Sequence, residues 1–136
     1  MEITRSTDTT KGPGDWFTGD VYIDAVAVPQ GPARVQANLV RFTPGARTAW
    51  HSHPLGQTMY VTAGVCVCQS RGEPIDLIRP GERVFFAPDE EHWHGAPPNR
   101  FVVHLAINEV DDSHALADWG DAVTDAEYAA APAVDG

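Results

Sequence analysis

Two short histidine clusters are the residues of this 136-residue chain whose types and spacing are best suited to chemistry. In the first cluster, His51 and His53 flank one serine, and the amide residue Gln57 follows four residues later. Side chains two residues apart on an extended strand point the same way, so both imidazoles could bind one ion. A Pro-Leu-Gly bend at 54–56 could fold Gln57 back toward them. The pattern indicates half of a metal site.

The second cluster, at 90–94, repeats this spacing with His92 and His94. His94 points to the same side as His92, so it is either close to bound substrate or at an exposed strand end. Trp50 and Trp93 each adjoin a candidate ligand but point to the opposite face, and we expect them to pack in the core. A single His-x-His pattern is weak evidence, since surface histidine pairs are common.

A third contributor is His104, in a strand predicted at 101–108. Its alternation places an imidazole and an amide on one face and only apolar side chains on the other. The first face carries Val102, His104, Ala106 and Asn108, and the second carries Val103, Leu105 and Ile107. The remaining histidine of the C-terminal half, His114, lies among aspartates and is predicted to be an exposed loop residue.

The elements that must position these residues are short strands separated by Gly and Pro turns. Strands are predicted at 21–28, 34–43, 58–69, 75–78, 83–87 and 101–108. Such closely spaced strands, without helices between them, indicate an all-β sandwich or small barrel. Thr124 and Glu127 fit a capping box, which predicts a short C-terminal helix, and one or two further helical turns are expected at 113–119.

The chain is predicted to be one domain at 15–130, with a flexible N-terminal arm at 1–14 and a disordered tail at 131–136. A net charge of −10 argues against binding to nucleic acid or to anionic membranes. The polar N-terminus predicts neither a signal peptide nor a membrane span, so we expect a cytoplasmic protein. Cys66 and Cys68, two apart on a predicted strand, are poorly spaced for a disulfide and are expected to be small buried side chains.

The spacing around the first cluster resembles the first motif of the cupin family. Gly45, His51, His53, Gln57 and Gly64 match every position of that motif, except that the family usually has Glu where this chain has Gln57.

In the second motif, Gly81 and His92 keep the family's separation. Pro88 is shifted by one position, Asp89 replaces the usual Gly, and Ala96 replaces the usual Asn. From about residue 16 to 128, the chain is similar to small single-domain cupins that include manganese-dependent bacterial hydroxynitrile lyases.

The resemblance implies a cupin double-stranded β-helix, a jelly-roll barrel. It also implies one divalent ion per chain, most favourably Mn, with Fe, Ni, Co or Zn as alternatives. The implied ligands are His51, His53, Gln57 and His92. A homodimer or homotetramer is expected by the same analogy.

The activity that the resemblance implies is that of a lyase acting on a hydroxylated small molecule. A neutral Gln ligand leaves the charge of the ion uncompensated, which favours Lewis-acid chemistry over oxygen activation. His104 is the predicted base or leaving-group partner, with a satisfied core imidazole as the alternative. Thr48 could hydrogen-bond a substrate oxygen at the ion, or it could equally be an ordinary strand threonine. The predicted substrate-binding residues are Asn38, Val40, Asn108 and His94.

Two other functions stay open at this point. One is a cupin dioxygenase or related oxidoreductase, and the other is a non-enzymatic cupin that binds a small molecule. Asn38 and Asn108 also make the expected pocket more polar than a simple aromatic cyanohydrin requires, which favours an oxygenated substrate.

Overall fold

The computed structural model describes residues 1–135 and folds almost entirely into short antiparallel strands. Glycine and proline turns end each run of alternating apolar residues and return the chain across the neighbouring strand. The elements are β1 (Thr10–Lys11), β2 (Phe17–Thr18), β3 (Val21–Ala27), β4 (Val35–Phe42), β5 (Arg47–Thr48), β6 (His51–Ser52), β7 (Gln57–Gly64), β8 (Cys66–Ser70), β9 (Asp76–Ile78), β10 (Arg83–Phe86), β11 (His92–Gly95), β12 (Val102–Glu109), β13 (Asp118–Trp119) and α1 (Asp125–Tyr128).

Two sheets curl around one interior. The first has the order β1-β3-β4-β12-β7-β10, and the second has the order β13-β6-β11-β5-β2 with β8 and β9 joined to β11. In the first sheet, β12 pairs antiparallel with β4 along its whole length, from Val102 opposite Phe42 to Glu109 opposite Val35. This barrel-like arrangement with one short helix confirms the predicted all-β cupin fold.

Gly64 marks the corner where the chain passes from one sheet to the other. Its φ is +72°, and a Cβ at this position would lie 2.0 Å from the carbonyl oxygen of Phe101. Only glycine accommodates both the left-handed backbone and this close approach. The run predicted as one strand at 58–69 is therefore two strands, β7 in the first sheet and β8 in the second.

The core has two parts. Phe42, Met59 and Val102 belong to the cluster enclosed between the two sheets, which also contains both free cysteines, Cys66 and Cys68. A second cluster lies on the outer side of the second sheet, where C-terminal side chains pack on two tryptophans. Its buried members are Trp50, Val67, Trp93, Val123 and Ala131.

The segment at 113–119 is the main departure from the predicted secondary structure. It contains no helix but an irregular loop followed by β13, which pairs with β6. The Asp111 carboxylate accepts hydrogen bonds from the backbone N–H groups of Ser113 and Ala115, and this favours a turn over a helix. The predicted capping box at Thr124 is present at the start of α1.

Residues near both ends of the chain contact the rest of the domain. Residues of β1, expected to lie in a flexible arm, pair with β3. In the expected tail, Val134 is buried, and its backbone exchanges two hydrogen bonds with the Asn99 side chain. Gly136 lies outside the described residues. Across residues 1–135, no helix has the length and apolar character needed to cross a membrane.

Candidate metal centre and its cavity

Three imidazoles converge inside the barrel. His51 lies on β6 and His92 on β11, where the two residues are paired directly across the strands. His53 directly follows β6 and turns to the same side as His51. Ring nitrogens of the three residues all lie within 4.8 Å of one another, close enough to hold a single ion. The structure thus brings together the two histidine clusters of the sequence.

Each of these rings is fixed through Nδ1. In every case Nδ1 lies within hydrogen-bond distance of a backbone carbonyl oxygen, to which the ring N–H donates. For His51, His53 and His92 the partners are Ala49, Leu116 and Glu90, at 2.8, 2.7 and 2.8 Å. Donation through Nδ1 leaves Nε2 with a free lone pair, which is the arrangement of metal-binding histidines in proteins.

The donor set fits a divalent ion. His53 Nε2 is buried and has no hydrogen-bond partner within residues 1–135. A buried nitrogen without a partner is costly, so it points to a ligand that supplies one. Gln57 Oε1 lies 3.2 Å from His92 Nε2 and adds an oxygen to the three nitrogens. Three imidazoles and one amide oxygen suit a first-row divalent metal.

Burial keeps these imidazoles uncharged. Removal from water lowers the pKa of His92 to about 4 and that of His51 well below its usual 6.5. Burial also lowers the pKa of His53, partly opposed by its hydrogen bond to the Leu116 carbonyl. All three rings are therefore neutral near pH 7, the form in which imidazole binds a metal.

His51, His53 and Gln57 line a cavity of about 380 Å³. Its polar wall contains histidines, Thr48 and several carboxamides, while apolar rings and side chains surround the rest. Within residues 1–135, none of the lining residues is Asp, Glu, Lys or Arg. The lining residues are Pro13, Trp16, Phe17, Ile23, Gln36, Asn38, Val40, Thr48, His51, His53, Gln57, His94, Ala106, Asn108, Leu116, Ala117 and Trp119.

His94 and His104 lie one behind the other. His94 lines the cavity, and its Nδ1 lies 3.2 Å from Nε2 of His104. His104 is fully buried, packs against the Phe42 ring at 5.3 Å between centroids, and is not among the described residues that line the cavity. The sequence predicted His104 as a base or leaving-group partner, or else as a core imidazole; its ring contacts His94, which lines the cavity.

Thr48 is placed next to this histidine pair. Its Oγ1 accepts a hydrogen bond of 3.2 Å from the backbone N–H of His94, and its side chain lines the cavity. The hydroxyl proton of Thr48 is not needed for that bond and is free for donation. The structure also places His94 in the interior, which excludes the alternative of an exposed strand end.

The three further predicted pocket residues, Asn38, Val40 and Asn108, all line the cavity. Sequence reasoning missed Gln36, although it lies two residues before Asn38 on β4 and therefore shares its face. Sequence reasoning also missed the residues at the mouth of the cavity, because no alternating pattern in the sequence marks them.

Stacked aromatic rings form that mouth. The Trp119 ring stacks on His51 at 4.5 Å and on Trp16 at 5.0 Å between centroids. Trp16 is 43% exposed, so the stack runs from the protein surface to a candidate metal ligand. The segment that carries Trp119 also supplies the Leu116 carbonyl that orients His53.

The fold and the histidine site together define a cupin. The cupin domain family matches residues 38–108, which include the four candidate ligands and more than half of the chain. This chain belongs to the cupin family.

Several relatives are similar along nearly the whole chain. The (R)-mandelonitrile lyase of Granulicella tundricola is 52% identical over 130 residues, which cover 94% of this chain and 98% of that protein. A cupin-like protein of Thermotoga maritima has a TM-score of 0.84 at 38% identity, with 95% of both chains covered. A polyketide cyclase of Streptomyces resistomycificus shares the fold, with a TM-score of 0.70, 17% identity, and coverage of 94% of this chain and 90% of that one.

Proposed function

We propose that this cupin is a metal-dependent lyase that cleaves, or forms, the carbon–carbon bond between a hydroxyl-bearing carbon and a nitrile. One observation carries the proposal: three buried, neutral imidazoles and Gln57 converge at an uncharged cavity. The extensive identity to a protein named (R)-mandelonitrile lyase supports the same reaction. (R)-Mandelonitrile is therefore the first substrate to test.

The residues that would hold the ion are His51, His53, Gln57 and His92. A bound divalent ion, for which we propose Mn, would act as a Lewis acid that lowers the pKa of the substrate hydroxyl. All four side chains are neutral, so none of them cancels the charge of the ion. That property favours polarisation of a substrate oxygen over stabilisation of a higher oxidation state.

His94 is the proposed base. It lines the cavity, and burial lowers its pKa well below 6.5, so it is neutral and able to accept the hydroxyl proton. As the O–H proton moves to His94, the oxygen electrons form the carbonyl, and the electron pair of the breaking C–C bond leaves with cyanide. His94 then returns the proton to cyanide, and its low pKa favours that return.

His104 acts behind His94 as a positioning residue. The 3.2 Å contact between His104 Nε2 and His94 Nδ1 orients the His94 ring. Thr48 donates its hydroxyl proton to substrate while it accepts the His94 backbone N–H. The chain thus supplies the base, its orientation and one hydrogen-bond donor.

The test is turnover of (R)-mandelonitrile to benzaldehyde, measured by chromatography with Mn-loaded and Fe-loaded protein, with and without air. We expect turnover without oxygen, and we expect His92→Ala to abolish it. The exposed His114 provides the matched control, since His114→Ala should leave the rate unchanged.

Two outcomes would overturn the proposal. Product formation only with Fe in air would support an oxidoreductase instead. An intact metal site without turnover of any cyanohydrin in a panel would support a binding protein.

A further inference from the structure

A row of carboxamides crosses the cavity wall. In the first sheet, β4, β12 and β7 are neighbours, and Asn108 on β12 lies directly opposite Gln36 on β4 and Gln57 on β7. All three side chains line the cavity. Directly opposed side chains on one sheet face have Cβ atoms about 5 Å apart, so the row is continuous. One end of it is the candidate metal ligand Gln57.

Most of the hydrogen-bonding capacity in this row is available to a ligand. Asn108 is only 7% exposed, and its Nδ2 lies 3.4 Å from Gln36 Oε1, close to the outer limit for a hydrogen bond. A carboxamide offers two donors and two lone pairs, so one long bond satisfies little of it. Gln36 and Asn108 both line the cavity, so their remaining donors and acceptors can pair with a polar group of the substrate.

The charge of the cavity restricts what that group can be. The protein has a net charge of −10, yet no charged residue within 1–135 lines the cavity. A carboxylate or ammonium group beside Gln36 and Asn108 would lose its hydration, and no charged side chain lines the cavity to compensate it. A neutral group that both donates and accepts, such as a hydroxyl or a carboxamide, would be satisfied by the same row.

We propose that Gln36 and Asn108 form a recognition subsite for a second, neutral polar group on the substrate. The substrate class is then uncharged hydroxy compounds whose side chain carries a hydroxyl or carboxamide, in preference to plain aromatic cyanohydrins. This inference rests on the proposed function in one respect: it takes the reacting hydroxyl to lie beside Gln57. Asn38 lies two residues after Gln36, on the same face of β4, and borders the same subsite.

The test measures binding without turnover. Isothermal titration calorimetry with the protein as purified compares benzyl alcohols with one ring substituent at the 3- or 4-position: hydroxyl, methyl or carboxylate. Hydroxyl and methyl substituents have similar size, so the ratio of their binding affinities isolates the contribution of hydrogen bonding. We expect the preferred hydroxyl isomer to bind about three- to tenfold more tightly than its methyl counterpart, the usual range for one or two neutral hydrogen bonds. The carboxylate should bind more weakly than either.

The variants Asn108→Leu and Gln36→Met keep the size of each side chain and remove its amide. Each should reduce the hydroxyl-to-methyl affinity ratio toward one while leaving the thermal unfolding temperature and metal content near those of wild type. Gln30→Met, at an exposed position, is the matched control and should keep the wild-type ratio.

A wild-type ratio of one, or a ratio that both cavity variants preserve, would overturn the inference. Its failure is distinguishable from failure of the proposed function. Preserved selectivity without cyanohydrin turnover contradicts only the proposed function, whereas turnover without selectivity contradicts only the subsite.

Discussion

The strands β6 and β11 and their adjoining residues have two buried faces of opposite chemistry. The face toward the cavity carries His51, His92 and His94, whose imidazoles are held by polar contacts. The face away from it presents Trp50 and Trp93 to an apolar cluster. Alternate residues of the same strands thus serve the site and the fold, so neighbouring substitutions should have effects of different kinds.

The outer face is closed by the C-terminal segment and by satisfied polar atoms. Trp93 donates its indole N–H to Gln69, and Trp50 donates to the carboxylate of Glu127, which follows the start of α1. The Arg71 guanidinium lies 3.7 Å above the centre of the Trp50 ring. This face holds the strands in place without contacting the cavity, so we assign it a stabilising role.

The largest expected effect is on the inner face. His94→Gln removes the proposed base, and the turnover rate should fall by about 10²- to 10⁴-fold, the usual contribution of general base catalysis. Metal content and folding should persist, because the four candidate ligands remain. Steady-state kinetics and elemental analysis check both points. Unchanged turnover would show that His94 is not the base.

The neighbouring residue on the outer face should behave in the opposite way. Trp93 is fully buried, so Trp93→Ala should reduce the free energy of unfolding by about 3–5 kcal/mol. Turnover per folded molecule should stay within a few-fold of wild type. Urea denaturation and kinetics at low temperature measure the two quantities. A stable variant that has lost activity would contradict the assignment of the faces.

The pH dependence of stability should report the burial of His104 in the interior. Burial lowers the pKa of His104 to about 4, whereas the unfolded chain protonates this residue near 6.5. Its contribution is therefore complete above pH 6.5 and is lost as the pH falls toward 4, by up to about 3 kcal/mol. Urea denaturation between pH 7 and 4 should show a shallower slope for His104→Gln than for wild type.

The matched control variant is His114→Gln, which replaces an exposed histidine by the same residue, glutamine. Equal slopes for wild type and His104→Gln would show that the buried ring does not resist protonation.

The smallest expected effect concerns the cap of α1. Thr124 Oγ1 accepts the Glu127 backbone N–H at 3.1 Å, and Glu127 Oε1 accepts the Thr124 N–H at 2.9 Å. Thr124→Ala removes the first bond and should cost about 1 kcal/mol of stability without changing turnover. Thermal denaturation measures the difference. A large loss of activity would mean that the outer face controls the site.

The sequence predicted the inner face well because period-two alternation and motif spacing are local signals. His51, His53 and His92 meet as their spacing indicated, and the polar and apolar faces of β12 alternate as predicted. How deeply a side chain lies in the barrel depends on contacts between residues that are distant in the sequence, so it is not a local signal. Periodicity gives His104 the interior face, but it cannot show that the His104 ring contacts His94, which lines the cavity.

The mouth of the cavity was predicted poorly for a related reason. The two-residue strand β13 is too short to show alternation, and it forms through pairing with the distant β6. Trp119 reaches His51 only by that tertiary pairing. Val134 likewise forms its hydrogen bond with Asn99, 35 positions earlier in the sequence. Amino-acid composition alone predicts neither the contact of Trp119 with His51 nor that of Val134 with Asn99.

The metal content of the purified protein tests the central claim most directly. Elemental analysis of protein prepared without chelator should find about one divalent ion per chain in wild type and in His114→Ala. His53→Ala removes a buried nitrogen that has no protein partner within residues 1–135, and it should lose most of that metal while remaining folded. Equal trace metal in all three proteins would contradict the assignment of this site.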